Sequence, residues 1–151
     1  MNPQIELYLH THTPWVSPQL VEAYTAALHR LLPELSAAPH GPAHVLSELD
    51  CVEISLVDDD TIARVHAEYL DDPSATDVIT FPYGEILVSC DTAARYAAAH
   101  SISPQQELFR YMVHGLVHLH GYLDATSEQR AELFSIQEPL VGKYCPPQAS
   151  E

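Results

Sequence analysis

Alternation of apolar and polar positions predicts four β-strands. Residues 5–10 alternate as a half-buried strand does, and residues 51–57 form a mostly apolar run of strand length. Two further β-branched and aromatic runs, at 77–83 and 85–91, are separated by Gly84. Because a tyrosine–glycine pair at this junction favours a hairpin turn, these two strands are expected to be antiparallel neighbours.

Helical spacing of apolar residues predicts five helices between and after the strands. Two of them begin with a serine cap followed by a proline at the first helical position. The predicted helices span residues 18–32, 58–69, 92–100, 104–120 and 127–141. Residues 33–49 are expected to form a connecting loop, and residues 145–151 a frayed tail. The chain is therefore predicted to be one α+β domain over residues 1–151, with a small mixed sheet of about four strands packed against about five helices.

Length and composition are those of a single globular domain. Hydrophobic residues make up 46% of the 151 residues, and no apolar run is long enough to span a membrane. The N-terminus lacks the basic and apolar regions of a secretory signal, so a cytoplasmic location without a membrane partner is expected. Three scattered cysteines, Cys51, Cys90 and Cys145, disfavour a disulfide framework and a cysteine-based zinc site, and they fit a reducing compartment.

The net charge restricts the partners that the chain can bind. Six basic residues against 21 acidic ones give a net charge of −15. Such a protein repels phosphate backbones at long range, so tight binding of nucleic acid through a broad basic face is excluded. Activity on RNA would need a bound metal, a few local Arg or Lys residues, or a partner that presents the substrate.

Two histidines and an aspartate near residue 120 have the spacing of a metal site. His114 and His118 lie four residues apart on a predicted helix, which places both imidazoles on one face. Gly121 is expected to end this helix, and Asp124 follows three residues later, where it can return to the same ion. Three protein ligands leave the fourth position to water, as in catalytic zinc sites. The alternative is a chance histidine pair on an amphipathic helix.

The other histidines are not expected to join this site. His120 lies two residues from His118 and projects from a different side of the helix, so it is predicted to lie at the surface or to support the ligands. His66 falls on the inner face of its helix and is predicted to be a core histidine. Solvent exposure is expected of the histidines near loops and chain ends, His10, His12, His40 and His44.

The spacing H-G-x-x-H-x-x-G-x-x-D is similar to the metzincin protease signature, with one decisive difference. In those proteases a glutamate follows the first histidine and takes the proton from the zinc-bound water. Gly115 occupies that position here and cannot do so. Peptide hydrolysis by that mechanism is therefore disfavoured, whereas a metal could still activate water for attack on a phosphodiester.

Two motifs in this order resemble the YbeY family of bacterial endoribonucleases. HGLVHLHGYLD at 114–124 resembles the family pattern H-G-x-x-H-L-x-G-Y-D-H. TDVITFP at 76–82 resembles its T-D-V-L-S-F-P segment, and EILVS at 85–89 resembles the strand that follows. The resemblance covers roughly residues 47–138.

This resemblance implies a zincin-like α+β fold and one Zn²⁺ held by His114, His118 and Asp124, with other divalent ions as alternatives. It also implies cleavage of single-stranded RNA in 16S rRNA 3′-end maturation and ribosome quality control. Single-stranded rRNA, the small ribosomal subunit and its assembly factors would then be the partners. Asp124 stands where the family usually has a third histidine, and carboxylate is a legitimate zinc ligand that favours harder ions.

A second departure from the family is the loss of a basic residue. Leu70 follows Tyr69 where the family commonly has an arginine that is thought to contact phosphate. Arg64 and Arg110 are the candidate replacements, and each could equally be a solvated surface arginine.

Thr76, Asp77 and Glu85 are the remaining polar candidates, and the first two lie at the start of a predicted strand within the second motif. They could orient a ligand histidine or simply cap the loop. Two rival functions remain open at this point. The first is a ribosome-assembly binding protein that has lost RNA cleavage, which Leu70 favours; the second is a metalloprotease, which Gly115 disfavours.

Overall fold

The computed structural model describes residues 2–72, 74 and 76–147. In chain order the strands are β1 (Gln4–Leu9), β2 (Cys51–Val57), β3 (Val78–Phe81) and β4 (Glu85–Ser89). The helices are α1 (Pro18–Ala37), α2 (Asp59–Leu70), α3 (Cys90–His100), α4 (Pro104–Leu119) and α5 (Ser127–Tyr144). The predicted α+β class and its elements are confirmed. The predicted frayed tail lies outside the described residues from residue 148 onward.

The four strands form one mixed sheet in the order β1-β2-β4-β3. β1 pairs in parallel with β2, and β2 pairs in parallel with β4. β3 pairs antiparallel with β4, which confirms the predicted hairpin, and Gly84 adopts a φ of 109° in its turn. β3 is consequently an edge strand, and its free edge borders the site described below.

The main core lies between one face of the sheet and helices α1, α4 and α5. α4 is the most deeply packed helix, because ten of its sixteen residues are buried. Gly115 lets it approach the sheet, since a Cβ at this position would lie 2.7 Å from Cδ1 of Ile86 on β4. This glycine therefore has a packing role in addition to the chemical difference from metzincins. A smaller apolar cluster, built on Ile62 and Ile79, lies under α2 on the other face.

The predicted loop at 33–49 is wrong in its first part. α1 continues through Pro33 to Ala37, because Leu31, Leu32 and Leu35 are fully packed in the core and outweigh the proline. Beyond Ala37 the chain does form a loop, interrupted by a single turn of 3-10 helix at Leu46–Glu48. The other helices match their predictions to within three residues at either end.

None of the helices in the described part of the chain is both long enough and apolar enough to cross a membrane.

Candidate metal centre

α4 carries the two histidines, and both of its ends are set by the local sequence. The Ser103 hydroxyl accepts a hydrogen bond from the amide of Gln106, and Pro104 occupies the first turn, as predicted. The helix ends at Leu119, and Gly121 follows with a φ of 106°, in the left-handed region that favours glycine. His114 and His118 thus lie on one face of the last turns of a rigid helix.

A tight backbone crossing directs the chain from α4 towards Asp124. Gly41, in the loop after α1, packs directly on Gly121, and a Cβ on either glycine would collide with the other backbone. The Gly41 amide donates to the carbonyl of His120 (3.0 Å), and the Tyr122 hydroxyl donates to the carbonyl of Pro39. These contacts fix the turn that returns Asp124 to the two histidines.

Three acceptor atoms converge at the end of this turn. Nε2 of His118 lies 3.0 Å from Nε2 of His114 and 3.3 Å from Oδ2 of Asp124. The separation between Nε2 of His114 and the same carboxylate oxygen is 3.9 Å. The imidazoles are mostly buried, with 22% of each side chain exposed, whereas the Asp124 side chain is 52% exposed. The centre therefore opens to solvent on the aspartate side.

The hydrogen bonds on the far side of each ring determine which nitrogen faces this centre. Nδ1 of His114 donates to Oε1 of Gln137 (2.7 Å), and Nδ1 of His118 donates to the carbonyl of Tyr122 (2.7 Å). Because a carbonyl oxygen only accepts, both Nδ1 atoms carry the proton. In the neutral rings both Nε2 atoms then present lone pairs. These lone pairs point towards each other and towards the carboxylate of Asp124, and none of the three groups carries a proton to donate.

A metal ion could satisfy such a set of acceptors. Tetrahedral zinc with histidine and carboxylate ligands at about 2.0–2.1 Å would separate its ligand atoms by about 3.3 Å. The three observed separations are close to that spacing, and the ligand atoms of all three residues lie within 4.8 Å of one another. His114, His118 and Asp124 could therefore hold a metal ion, and they are the only group of this kind that the described residues form.

The protonation of His114 is compatible with this role. Burial lowers its pKa below the ordinary value, and the neighbouring His118 lowers it further, which outweighs the opposing effect of the Gln137 hydrogen bond. A lowered pKa favours the neutral imidazole, which is the form that binds metals.

The Gln137 amide is itself held in one orientation by charged neighbours. Its Nε2 donates to Oε2 of Glu138 (2.8 Å), so its oxygen faces His114. Burial would raise the pKa of Glu138, but hydrogen bonds from Arg110 and Gln137 outweigh burial and lower it, which keeps this carboxylate ionised. Arg110 also donates to the buried Glu107 (2.6 Å). The chain from Arg110 through Glu138 to Gln137 thus fixes the orientation of a histidine ring.

The second motif forms a wall of the cleft beside the three ligands. The cleft has a volume of about 410 Å³ and is lined by His114, His118, Asp124, Thr76, Asp77, Val78, Thr80, Pro82, Ala43, Val45 and Leu119. Thr76 and Asp77 therefore lie where the sequence indicated. Oδ1 of Asp77 accepts from the amide of Val78 (2.8 Å), which is the loop-capping alternative, and no hydrogen bond joins Asp77 to a ligand histidine among the described residues.

Neither candidate arginine lines this cleft. Arg110 is held in ion pairs with Glu107 and Glu138 on the far side of α4, and it acts on the centre through Gln137. Arg64 is exposed on α2, where its guanidinium lies 3.5 Å from the Thr61 hydroxyl. The absence of an arginine at Leu70 is therefore not compensated by either residue.

Two predictions for other histidines are wrong in their burial. For His120 the surface alternative is wrong, because the residue is only 7% exposed and its Nε2 donates to the carbonyl of Ala38 (2.9 Å). The alternative, that it supports the ligands, stays a prediction. His66 is only partly buried rather than in the core, with 17% of its side chain exposed, and its Nδ1 donates to the carbonyl of Ser74 (3.0 Å). As predicted, neither belongs to the group that could hold a metal ion.

Comparison with known proteins identifies the family. The family described as endoribonuclease YbeY matches residues 19–144. The chain belongs to the YbeY family. The match begins well before residue 47, where the resemblance of the motifs began, so most of α1 is included.

Curated YbeY relatives are similar over part of their length. Endoribonuclease YbeY of Protochlamydia amoebophila is 42% identical over 86 residues, which are 50% of this chain and 57% of the relative. The Kineococcus radiotolerans protein of the same name is 30% identical over 115 residues, or 65% of each chain. These matches span less than two thirds of either relative.

A solved structure supports the fold of this YbeY member. The solution structure of TM1509 from Thermotoga maritima superimposes with a TM-score of 0.64 at 24% sequence identity. The superposition covers 91% of this chain and 86% of the other.

Proposed function

We propose that this YbeY member is a metal-dependent endoribonuclease that cleaves single-stranded RNA. One divalent ion, Zn²⁺, is held by His114, His118 and Asp124. The observation that carries this proposal is the convergence of two Nε2 lone pairs and a carboxylate oxygen at 3.0–3.9 Å with no donor between them. Membership of a family described as endoribonuclease YbeY supports RNA as the substrate.

The chain's own residues hold, orient and expose the centre. A bound divalent ion supplies Lewis-acid chemistry, since it activates water near neutral pH and stabilises the negative charge that develops on phosphate oxygens. Gln137 and the Tyr122 carbonyl keep both Nε2 atoms directed at the centre. The exposed side of Asp124 leaves the cleft open to water and to an RNA strand.

Within this activity we propose 16S rRNA 3′-end maturation and ribosome quality control as the cellular role, in the cytoplasm. The small ribosomal subunit and its assembly factors would be the partners. The net charge of −15 supports a role on a partner, because a substrate presented on a ribosome need not be captured through a broad basic face. We also propose that residues 1–151 form a single domain and that this domain carries the metal centre.

A second function is favoured by one observation. The exposed Leu70 occupies the position of the family arginine, and the cleft-lining side chains given above include no lysine or arginine. The alternative is a ribosome-assembly protein that binds metal and RNA without cleaving it.

A cleavage assay separates the two functions. Zinc-loaded wild type is expected to cut a labelled single-stranded RNA and to leave a duplex of the same sequence intact. His114→Ala and chelation by EDTA are both expected to abolish the products, and zinc is expected to restore them only in wild type. RNA that is bound but never cut, at any metal tested, would favour the binding protein. Metal-dependent digestion of a peptide library instead would contradict both.

A further inference from the structure

Arg130 is a cation whose guanidinium contacts the main chain of a candidate metal ligand, although it is not itself among the residues that line the cleft. It lies in the first turns of α5, and its Nη1 donates to the main-chain oxygen of Asp124 at 3.2 Å. The side chain of that aspartate supplies the carboxylate oxygen of the centre. Arg130 itself is exposed to solvent, and it forms no ion pair with a carboxylate in the part of the chain that the structure describes.

The other basic residues are either neutralised or lie elsewhere. Three of the six are held in ion pairs with carboxylates, namely Arg95, Arg110 and Lys143. Two others, Arg30 and Arg64, lie on α1 and α2, and neither has a described hydrogen bond or ion pair with a candidate metal ligand. Arg130 is thus the basic residue with a described contact to a candidate metal ligand and no acidic partner among the described residues.

A cation in addition to the metal ion would favour binding of a phosphodiester at this cleft. The cleft-lining side chains described above include two carboxylates, Asp77 and Asp124, and no lysine or arginine. A guanidinium has five N–H donors in a planar fork that matches phosphate oxygens, and the bond to the Asp124 carbonyl uses only one of them. The others remain available to a ligand that enters from the exposed side of Asp124.

We propose that Arg130 binds a phosphate of the RNA backbone next to the metal centre. It takes the place of the arginine that Leu70 does not provide, from a different helix. This inference rests on the proposed endoribonuclease function, and it names the residue that gives the cleft its affinity for phosphate. A purely structural role, capping the loop at Asp124, would instead affect folding stability and metal loading.

The test compares Arg130→Gln and Arg130→Lys with Arg30→Gln, which removes the same charge from an exposed position on α1. Steady-state cleavage of a single-stranded RNA by zinc-loaded protein gives KM and kcat as a function of salt. Arg130→Gln is expected to raise KM about tenfold, because one charge-assisted phosphate contact is lost. The slope of log affinity against log salt should fall by about 0.7, the value for one phosphate contact on a single strand.

The two matched variants complete the expected pattern. Arg130→Lys keeps the charge without the planar fork, so its KM should lie between those of wild type and Arg130→Gln. Arg30→Gln should leave KM and the salt slope at the wild-type values. Zinc content and thermal unfolding should be equal in all four proteins.

Equal KM and equal salt slope in wild type and Arg130→Gln would overturn the inference, as would a loss of zinc or of stability that accounts for the whole effect. Fluorescence anisotropy of the labelled RNA, with its integrity checked on a gel, separates this failure from that of the proposed function. A wild type that binds RNA without cutting it refutes the endoribonuclease. The phosphate-binding role of Arg130 is then supported only if Arg130→Gln weakens RNA binding and lowers the slope of log affinity against log salt. A wild type that neither binds nor cuts RNA overturns both.

Discussion

Gln137 determines the orientation of His114 through a single hydrogen bond, so its replacement should weaken the metal centre without unfolding the protein. Gln137→Met keeps nearly the same length and volume in a position that is only 2% exposed. It removes the acceptor that lies 2.7 Å from Nδ1 of His114. The ring nitrogen then loses its partner in a largely buried site, and the ring is free to rotate away from the centre.

The size of the effect follows from the role of the lost bond. Partners of this kind behind metal-binding histidines typically contribute a factor of about 10 to 100 in metal affinity. This range corresponds to about 1.4–2.7 kcal/mol, similar to the loss of a hydrogen bond that leaves a buried donor unpaired.

Competition with a chromophoric zinc chelator measures these affinities without relying on RNA cleavage. Gln106→Met, on the more exposed side of α4, makes the same chemical change away from the centre and should bind zinc as wild type does. A Gln137→Met protein that is folded and binds zinc with wild-type affinity would refute the positioning role.

Two further predictions concern stability. The Thr80 hydroxyl is buried without a hydrogen-bond partner among the described residues, so Thr80→Val should raise stability by about 1 kcal/mol, or Tm by roughly 2–4 °C in thermal unfolding. An unchanged or lower Tm would contradict this prediction. The control, Thr92→Val, removes a hydrogen bond to Asp59 and should lower Tm. Burial alone would raise the pKa of Asp59, but hydrogen bonds from Ser89, Arg95 and Thr92 outweigh burial and lower it. The ionised Asp59 therefore stabilises the folded protein above the unfolded pKa of about 3.9, and this stabilisation is lost as the pH falls through the lower folded pKa. Urea unfolding across this acidic range should show that the free energy of unfolding falls less steeply with falling pH in Asp59→Asn than in wild type. Parallel curves of unfolding free energy against pH for the two proteins would refute this role of Asp59.

Local patterns predicted the elements of the fold and the core of the candidate site. The strand at 51–57 matches β2 residue for residue, and the serine caps before Pro18 and Pro104 begin α1 and α4 as expected. The four-residue spacing of His114 and His118 was sufficient to place both rings on one face, because that spacing is a property of the helix itself. α1 was predicted too short because proline disfavours a helix locally, whereas the packing that overrides it is tertiary.

The supporting residues could not be found from local sequence. Gln137 lies 23 positions from His114, and Gly41 lies 80 positions from Gly121. Their roles arise from the packing of α5 and of the loop after α1 against α4, which no local pattern encodes. Arg130 had a weaker signal, since few basic residues are present and it follows Asp124 closely in sequence, but its contact with the Asp124 carbonyl depends on how α5 begins.

Zinc stoichiometry tests the central claim most directly. Elemental analysis of wild type and Asp124→Ala, purified side by side and incubated with zinc, is expected to give about one zinc per wild-type chain and clearly less in the variant. Thermal unfolding confirms that both are folded. A folded wild-type protein that stays without zinc or any other divalent ion after incubation would contradict the metal centre and the mechanism built on it.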